Sequence, residues 1–174
     1  LSVEKAASFR IESKCSIYKQ CGGCQLQHME YEHQLAAKRQ TVVDAVARIG
    51  KLENVVIHPT IGSENPWYYR NKMQFPIGTQ EDKVVMGCFA QGTHQIVDTD
   101  TCLIQHESNN EIVQAVRQIV SELGIDTYNE HTGKGVLRHV LGRVGVSTGQ
   151  VMVVFVTAVE KIPKQEELVA KLRR

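Results

Sequence analysis

Three of the chain's five cysteines, Cys15, Cys21 and Cys24, stand in a C-x5-C-x2-C array with Gly22 and Gly23 inside the last pair. Thiolates are soft donors suited to iron–sulfur clusters, zinc or copper(I). The glycines admit the positive φ that a tight turn between two ligands would demand, and they leave backbone N–H groups near the sulfurs. Three thiolates are one short of the usual four, so a fourth must come from elsewhere. Cys88 lies in an apolar strand candidate and reads as a buried small hydrophobe. Cys102 falls in Asp100-Thr101-Cys102-Leu103-Ile104, after a strand and before a helix, where an ordered loop could supply the fourth sulfur.

A second group of side chains suits an anionic polymer. Trp67 to Phe75 reads as an aromatic, alternating strand. Tyr69, Met73 and Phe75 fall on one face, and Tyr68, Arg70, Lys72 and Gln74 on the other. A tyrosine beside two cations can stack on a base while holding a phosphate. Further on, Leu137, His139, Leu141 and Arg143 share one face of a strand, while Arg138 joins Val136, Val140 and Val144 on the opposite face. A cation on each face points to an edge or functional position. Gly133-Lys134-Gly135 resembles, weakly, a loop that approaches phosphate.

The elements that must position these residues are legible as periodicities. Residues 29–49 predict a helix with Tyr31, Leu35, Val42, Val46 and Ile49 as its apolar stripe and Gly50 just past its end; Lys38, Arg39 and Arg48 lie off the stripe. Val55-Val56-Ile57 is a short strand candidate. Lys83–Phe89 and Gln95–Val97 are expected strands, with Gly78–Asp82 as the hairpin loop between the first two. Ser108-x-x-Glu111 matches a capping box at the start of a helix whose stripe is Ile112, Val116, Ile119, Val120 and Leu123. Strands over 135–146 and 151–157 are joined at Ser147–Gln150. Val151–Val156 is nearly all apolar, as for a central strand covered on both sides. A last helix follows Pro163, with Leu168, Val169 and Leu172 inward.

The fold class expected is α+β: a largely antiparallel sheet with about three helices on it and the cysteine-rich loop at one edge. At 174 residues, with 42% hydrophobic and 22% charged residues and a net charge of +1, the composition is that of a globular chain with no bulk charge to attract nucleic acid. Local basic clusters would have to do that. No apolar run reaches the roughly 18–20 residues of a membrane span, and no basic-then-apolar leader is present, so the expected location is cytoplasmic. No glycine-rich nucleotide fingerprint, nucleophile elbow or catalytic triad can be placed. Both ends read as cut, and the last helix has no strand left to lead to. An unprotected edge or apolar patch, and self-association through it, is therefore expected.

With the cysteine array, Tyr69-Arg70-Asn71-Lys72, Gly92-x-His94-x-Ile96-Val97 followed by Cys102, and Leu137-Arg138-His139 running into Met152-Val153-Val154, the chain resembles the central domain of the bacterial RNA (uracil-5-)-methyltransferases, in the iron–sulfur branch acting on 23S ribosomal RNA. The resemblance runs from Cys15 to the C-terminus. It implies a [4Fe–4S] cluster on Cys15, Cys21, Cys24 and Cys102, and it implies 23S ribosomal RNA as partner, since the related tRNA enzymes typically lack this cysteine set. It also implies the parent chemistry: S-adenosylmethionine methylates C5 of an extruded uridine after a cysteine thiolate adds to C6. The family's β-barrel TRAM domain would precede residues 1–14, which read as its linker. Residues 15–174 would be the central domain, and the Rossmann-like methyltransferase domain with the catalytic residues and the S-adenosylmethionine site would follow. This chain alone is then expected not to methylate RNA. Tyr68, Arg70, Lys72, Arg138 and Arg143 are the expected RNA contacts, and the cluster is expected to be structural, tying the Cys15–Cys24 loop to Cys102. A zinc-stabilised RNA-binding module and a ferredoxin-like redox protein are the alternative readings.

Overall fold

The computed structural model describes residues 3–173; residues 1 and 2 of the expected 1–14 linker, and residue 174, lie outside them. The chain divides into two compact units, Leu1–Tyr18 with Cys24–Pro66, and Lys19–Gly23 with Trp67–Arg174.

The first unit is built on helix α1 (Tyr31–Asp44), continued by one π-helical stretch at Ala45–Ile49. The expected apolar stripe does not become a core. None of the described residues of this unit is buried, and Val42 and Ile49 are exposed. Val55-Val56-Ile57 is not a strand, because that segment is spent on the helix. Arg39 donates from Nε and Nη2 to the Ile57 carbonyl (3.1 and 2.8 Å), Thr60 Oγ1 donates to the Leu35 carbonyl (3.0 Å), and the Ser63 N–H donates to Tyr31 Oη (2.8 Å). Gly50 closes the helix at φ −70°, and the left-handed residue is Lys51.

The second unit is a five-stranded antiparallel sheet in the order β3-β2-β1-β4-β5, with β1 Lys72–Gln80, β2 Lys83–Phe89, β3 Ile96–Asp98, β4 Leu137–Gly145 and β5 Gln150–Thr157. Helices α2 (Glu107–Leu123) and α3 (Gln165–Leu172) follow β3 and β5. The core joins Met73, Phe75 and Ile77 of β1, Met86 of β2, and Leu137 and Val140 of β4 to Ile112, Val116, Ile119, Val120 and Leu123 of α2 and Leu168 of α3. The expected α2 stripe is thus buried throughout, and Gly124 ends the helix at φ +60°. Its start differs. The cap is His106, whose Nδ1 accepts from the Ser108 N–H at 3.2 Å, so the helix begins one residue before the expected capping box.

Three strand expectations are corrected. First, β1 begins at Lys72 rather than Trp67. Tyr68 takes φ +54°, which breaks an extended run, and the N–H groups of Tyr68 and Arg70 donate to the carbonyls of Leu103 and Ile104 (2.9 and 2.8 Å). Tyr69 is therefore exposed instead of lying with Met73 and Phe75. Second, Gly78 is not in a loop. It is paired with Val85 inside β1, and a side chain there would meet Ile96 at 2.8 Å; the turn is the two residues Glu81 and Asp82, both at positive φ. Third, β5 is not a central strand but an outer one. Val153 and Phe155 pack against the core, while Val151, Met152, Val154 and Val156 are exposed.

Arg138 does not share the core face with Val140. The β4–β5 register shifts between Leu137 and His139, a bulge that makes Arg138 the extra residue. Leu137 thereby enters the core although alternation puts it with His139, and the cation turns outward.

Candidate nucleic-acid interface

In the second unit one sheet face carries α2 and α3. The other carries no helix of the unit, and its residues follow from register. Lys72 lies directly across from Arg143, Gln74 from Leu141, and Pro76 from His139; Arg143, Leu141 and His139 in turn lie across from Met152, Val154 and Val156. Lys72 and Arg143 are both exposed, and among the described residues neither makes an ion pair. Two like charges directly opposed across an antiparallel pair repel and destabilise it. An anion placed between them would reverse that sign.

Arg70 sits just before this pair. Its main chain is held by Ile104, His106 and Asn109, and its Nε donates to the Lys72 carbonyl at 3.3 Å. Tyr68 is about one-third exposed, on the same irregular segment. Arg138 stands apart, five residues and so roughly 17 Å along β4 from Arg143. Its guanidinium lies 4.6 Å over the Tyr128 ring. The structure thus pairs Lys72 with Arg143, keeps Arg70 beside them, and sets Arg138 at the far end of the open face.

The cysteines are placed as follows. In the first unit, the Cys15 N–H donates to Gln27 Oε1 (3.3 Å) and its carbonyl accepts from the Tyr18 N–H (3.1 Å), with Tyr18 Oη on the Gln25 carbonyl and on His28 Nδ1 (2.6 Å each). Cys15 and Cys24 are half-buried. In the second unit, residues 19–23 extend the end of β2. Cys21 forms a bridge with Ala90, and the Gly22 N–H donates to the Phe89 carbonyl at 3.0 Å. Neither Gly22 nor Gly23 has positive φ. Both sit at close approaches instead: a Cβ at Gly22 would lie 3.0 Å from the Phe89 carbonyl oxygen, and one at Gly23 3.3 Å from the sulfurs of Cys21 and Cys88. The Gly23 N–H does reach Cys21 Sγ, at 3.3 Å.

Cys88 is half-buried and packs against the core, as expected of a small hydrophobe, but its side chain also hydrogen-bonds Cys21. That bond, helped by the Gly23 N–H and opposed by burial, pulls the Cys21 thiol down to about 6. The shift favours the thiolate, the form that ligates metals. Cys102 is held at both ends of its peptide by Asn110, whose Oδ1 accepts its N–H (2.9 Å) and whose Nδ2 donates to its carbonyl (3.3 Å). Among the described residues, no three His, Cys, Asp or Glu side chains are gathered as a metal-holding group.

Arg117 of α2 went unread in the sequence because it sits inside a helical stripe pattern. It pairs with Asp98 (2.7 Å) and Asp100 and donates to the Thr99 carbonyl (3.2 Å), which pins the end of β3 just ahead of Cys102.

No family model matches the chain. It is 44% identical over 172 residues to an uncharacterized RNA methyltransferase of Bacillus cereus, covering 99% of this chain and 37% of the relative. It is 45% identical over 169 residues to one of Clostridium acetobutylicum, covering 96% and 36%. Among solved structures it is similar to the tRNA (uracil-54, C5)-methyltransferase of Pyrococcus abyssi in complex with S-adenosyl-L-homocysteine, with a TM-score of 0.69, 27% identity, 96% of this chain covered and 37% of that one. The chain spans a little over a third of the length of the curated relatives it matches.

Proposed function

We propose that this chain is the RNA-binding, iron–sulfur part of an S-adenosylmethionine-dependent RNA (uracil-C5)-methyltransferase acting on 23S ribosomal RNA. The observation that carries the RNA-binding role is the opposed, uncompensated pair Lys72–Arg143 on a sheet face with no helix of its unit. A phosphate between them removes the repulsion, Arg70 adds a third cation, and Tyr68 adds a ring. The similarity to proteins named RNA methyltransferases supports the same reading. The S-adenosyl-L-homocysteine in the Pyrococcus abyssi enzyme supports S-adenosylmethionine as the methyl donor. No residue of this chain is proposed as catalytic.

Cys15, Cys21, Cys24 and Cys102 would hold the cluster. The donor set is chemically suited to iron and sulfide: four thiols, the soft ligands of such clusters, with the Cys21 thiol lowered by Cys88 and then Gly23 and Cys102 fixed by Asn110. The cluster would act as a structural staple in this reading. The same donors could hold zinc, which metal analysis separates.

Replacing Lys72 and Arg143 together by glutamine is expected to weaken binding of a single-stranded RNA and to flatten its dependence on salt. Each phosphate contact contributes a slope of about 0.7 in log K against log salt, so the pair should lower the slope by about 1.4. A fluorescence anisotropy titration across salt concentrations reads this directly, and an unchanged slope removes the two residues from the interface. The Pyrococcus abyssi neighbour acts on tRNA, which favours a tRNA uridine as the second reading. Competition between 23S and tRNA transcripts in the same titration decides between them, and preferential displacement by the 23S transcript is the expected result.

A further inference from the structure

At the end of the open face away from Lys72 and Arg143, the second unit forms a pocket of about 810 Å³, within the usual range of small-ligand sites, roughly 300–1,000 Å³. Pro76, Gly78 and Val85 line it from β1 and β2, and the 126–135 segment forms one side. That segment is built to hold its shape. The Tyr128 N–H donates to the Leu137 carbonyl and the Asn129 N–H to the Lys134 carbonyl, both at 2.7 Å, and the N–H groups of Val136 and Leu137 share the Asp126 carbonyl. Gly133 and Gly135 take φ +69° and +111°, and a Cβ on Gly135 would fall 2.1 Å from the Thr127 carbonyl oxygen. Only glycine allows the chain so close.

The pocket is lined by planar groups in two stacked pairs. Arg138 covers one face of Tyr128 at 4.6 Å, and Phe89 stacks on His94 with ring centroids 5.1 Å apart. Its lining sets two acids, Asp126 and Glu130, against two cations, Lys134 and Arg138. His94 Nδ1 is 2.7 Å from Glu130 Oε2, which occupies the one glutamate among its lining residues and holds that carboxyl below its usual range. Arg138 and Lys134 make no ion pair among the described residues. His139 is kept below the usual histidine value by burial and then by Arg138, which favours the neutral ring, a donor and an acceptor.

We infer that this pocket is a base-binding subsite for single-stranded RNA, taking one unstacked nucleobase against its planar side chains with the attached phosphate on Arg138 and Lys134. The inference rests on the RNA-binding reading above and deepens it. Stacking platforms flanked by cations are how proteins hold single strands, and the wall's own hydrogen bonds mean that little is left to order when the base arrives. The subsite lies on the same face as the Lys72–Arg143 pair, so one strand could run along β4 from one to the other.

Two measurements on the chain test it. In the first, a short oligouridylate is titrated into wild type, Tyr128→Ala and Tyr128→Phe. Tyr128→Ala should bind about tenfold more weakly with the salt slope unchanged, and Tyr128→Phe should bind as wild type does. In the second, uridine 5′-monophosphate and inorganic phosphate are titrated separately into labelled wild-type protein and followed by amide chemical shifts, which needs no variant to fold. The nucleotide should saturably shift the amides of residues 126–135, and phosphate alone should not. Equal affinity of Tyr128→Ala and wild type for the oligouridylate, or phosphate shifts that match the nucleotide's, overturns the subsite while leaving the RNA-binding reading in place. No binding of the oligouridylate by wild type overturns both.

Discussion

Leu137→Ala is expected to lower the free energy of unfolding by about 2–5 kcal/mol, whereas Leu141→Ala, four residues along the same strand, should cost less than about 1.5 kcal/mol. Leu137 is fully buried against α2 and its neighbours, and its side chain cannot be removed without leaving a cavity. Leu141 is half-buried on the open face between Gln74 and Val154. Simple alternation assigns both leucines to one face and predicts equal costs. The bulge at Arg138 separates them. In a chain of this size each kcal/mol moves the melting temperature by roughly 2–4 °C, so thermal unfolding of the two variants tells the bulged register from the regular one. Equal shifts would contradict the register.

The second large effect concerns metal. Purified without oxygen, the chain is expected to carry about four irons with matching sulfide. Cys102→Ala and Cys21→Ala should each lose most of it, while Cys88→Ala should keep it. Cys88 is the informative control because it hydrogen-bonds Cys21 and packs against the core yet is not among the proposed ligands. Iron and sulfide analysis, together with the visible absorption that colours such clusters, reads the outcome. Stoichiometric zinc without colour would favour the zinc-stabilised module. Loss of iron in Cys88→Ala alone would move the fourth ligand from Cys102 to Cys88.

How much of this was legible beforehand follows the physics of each element. The α2 stripe was readable to the residue, because a 3.6-residue period with five branched apolar positions has one burial solution, and the structure buries all five. The antiparallel sheet and the β4–β5 hairpin were readable from short β-prone runs bounded by turn residues. Failures came where local signals compete. Gly78 carries a turn signal but serves a close strand approach to Ile96. Tyr68 has strand propensity but adopts a left-handed backbone, because its segment bonds to residues 103–106 far away in sequence. The apolar run of β5 reads as a buried strand, and no local feature says that the sheet stops there. The bulge at Arg138 is a question of register, which a single strand's sequence does not encode.

The candidate interface was half legible. Lys72, Arg143 and Arg70 were visible as cations on strands, but their pairing depends on which strands are neighbours. Tyr128 lies far along the sequence from Phe89 and His94, and nothing local marked them as one site. Gly133-Lys134-Gly135 was the one hint, and the structure shows its glycines shaping the wall of the pocket rather than forming a turn for its own sake. The cysteine spacing gave the chemistry of the donors, whereas the contact between Cys21 and Cys88 came only from the fold.

The central claim is that RNA runs on the open face of the sheet. Photocrosslinking of the chain to a single-stranded RNA containing 4-thiouridine, followed by mass spectrometry of the crosslinked peptides, tests it most directly. The account predicts crosslinks in β1 around Lys72, in β4 between Arg138 and Arg143, and in the 126–135 segment, with none on α2. Crosslinks confined to α2, or none at all under conditions where the RNA is bound, would contradict it.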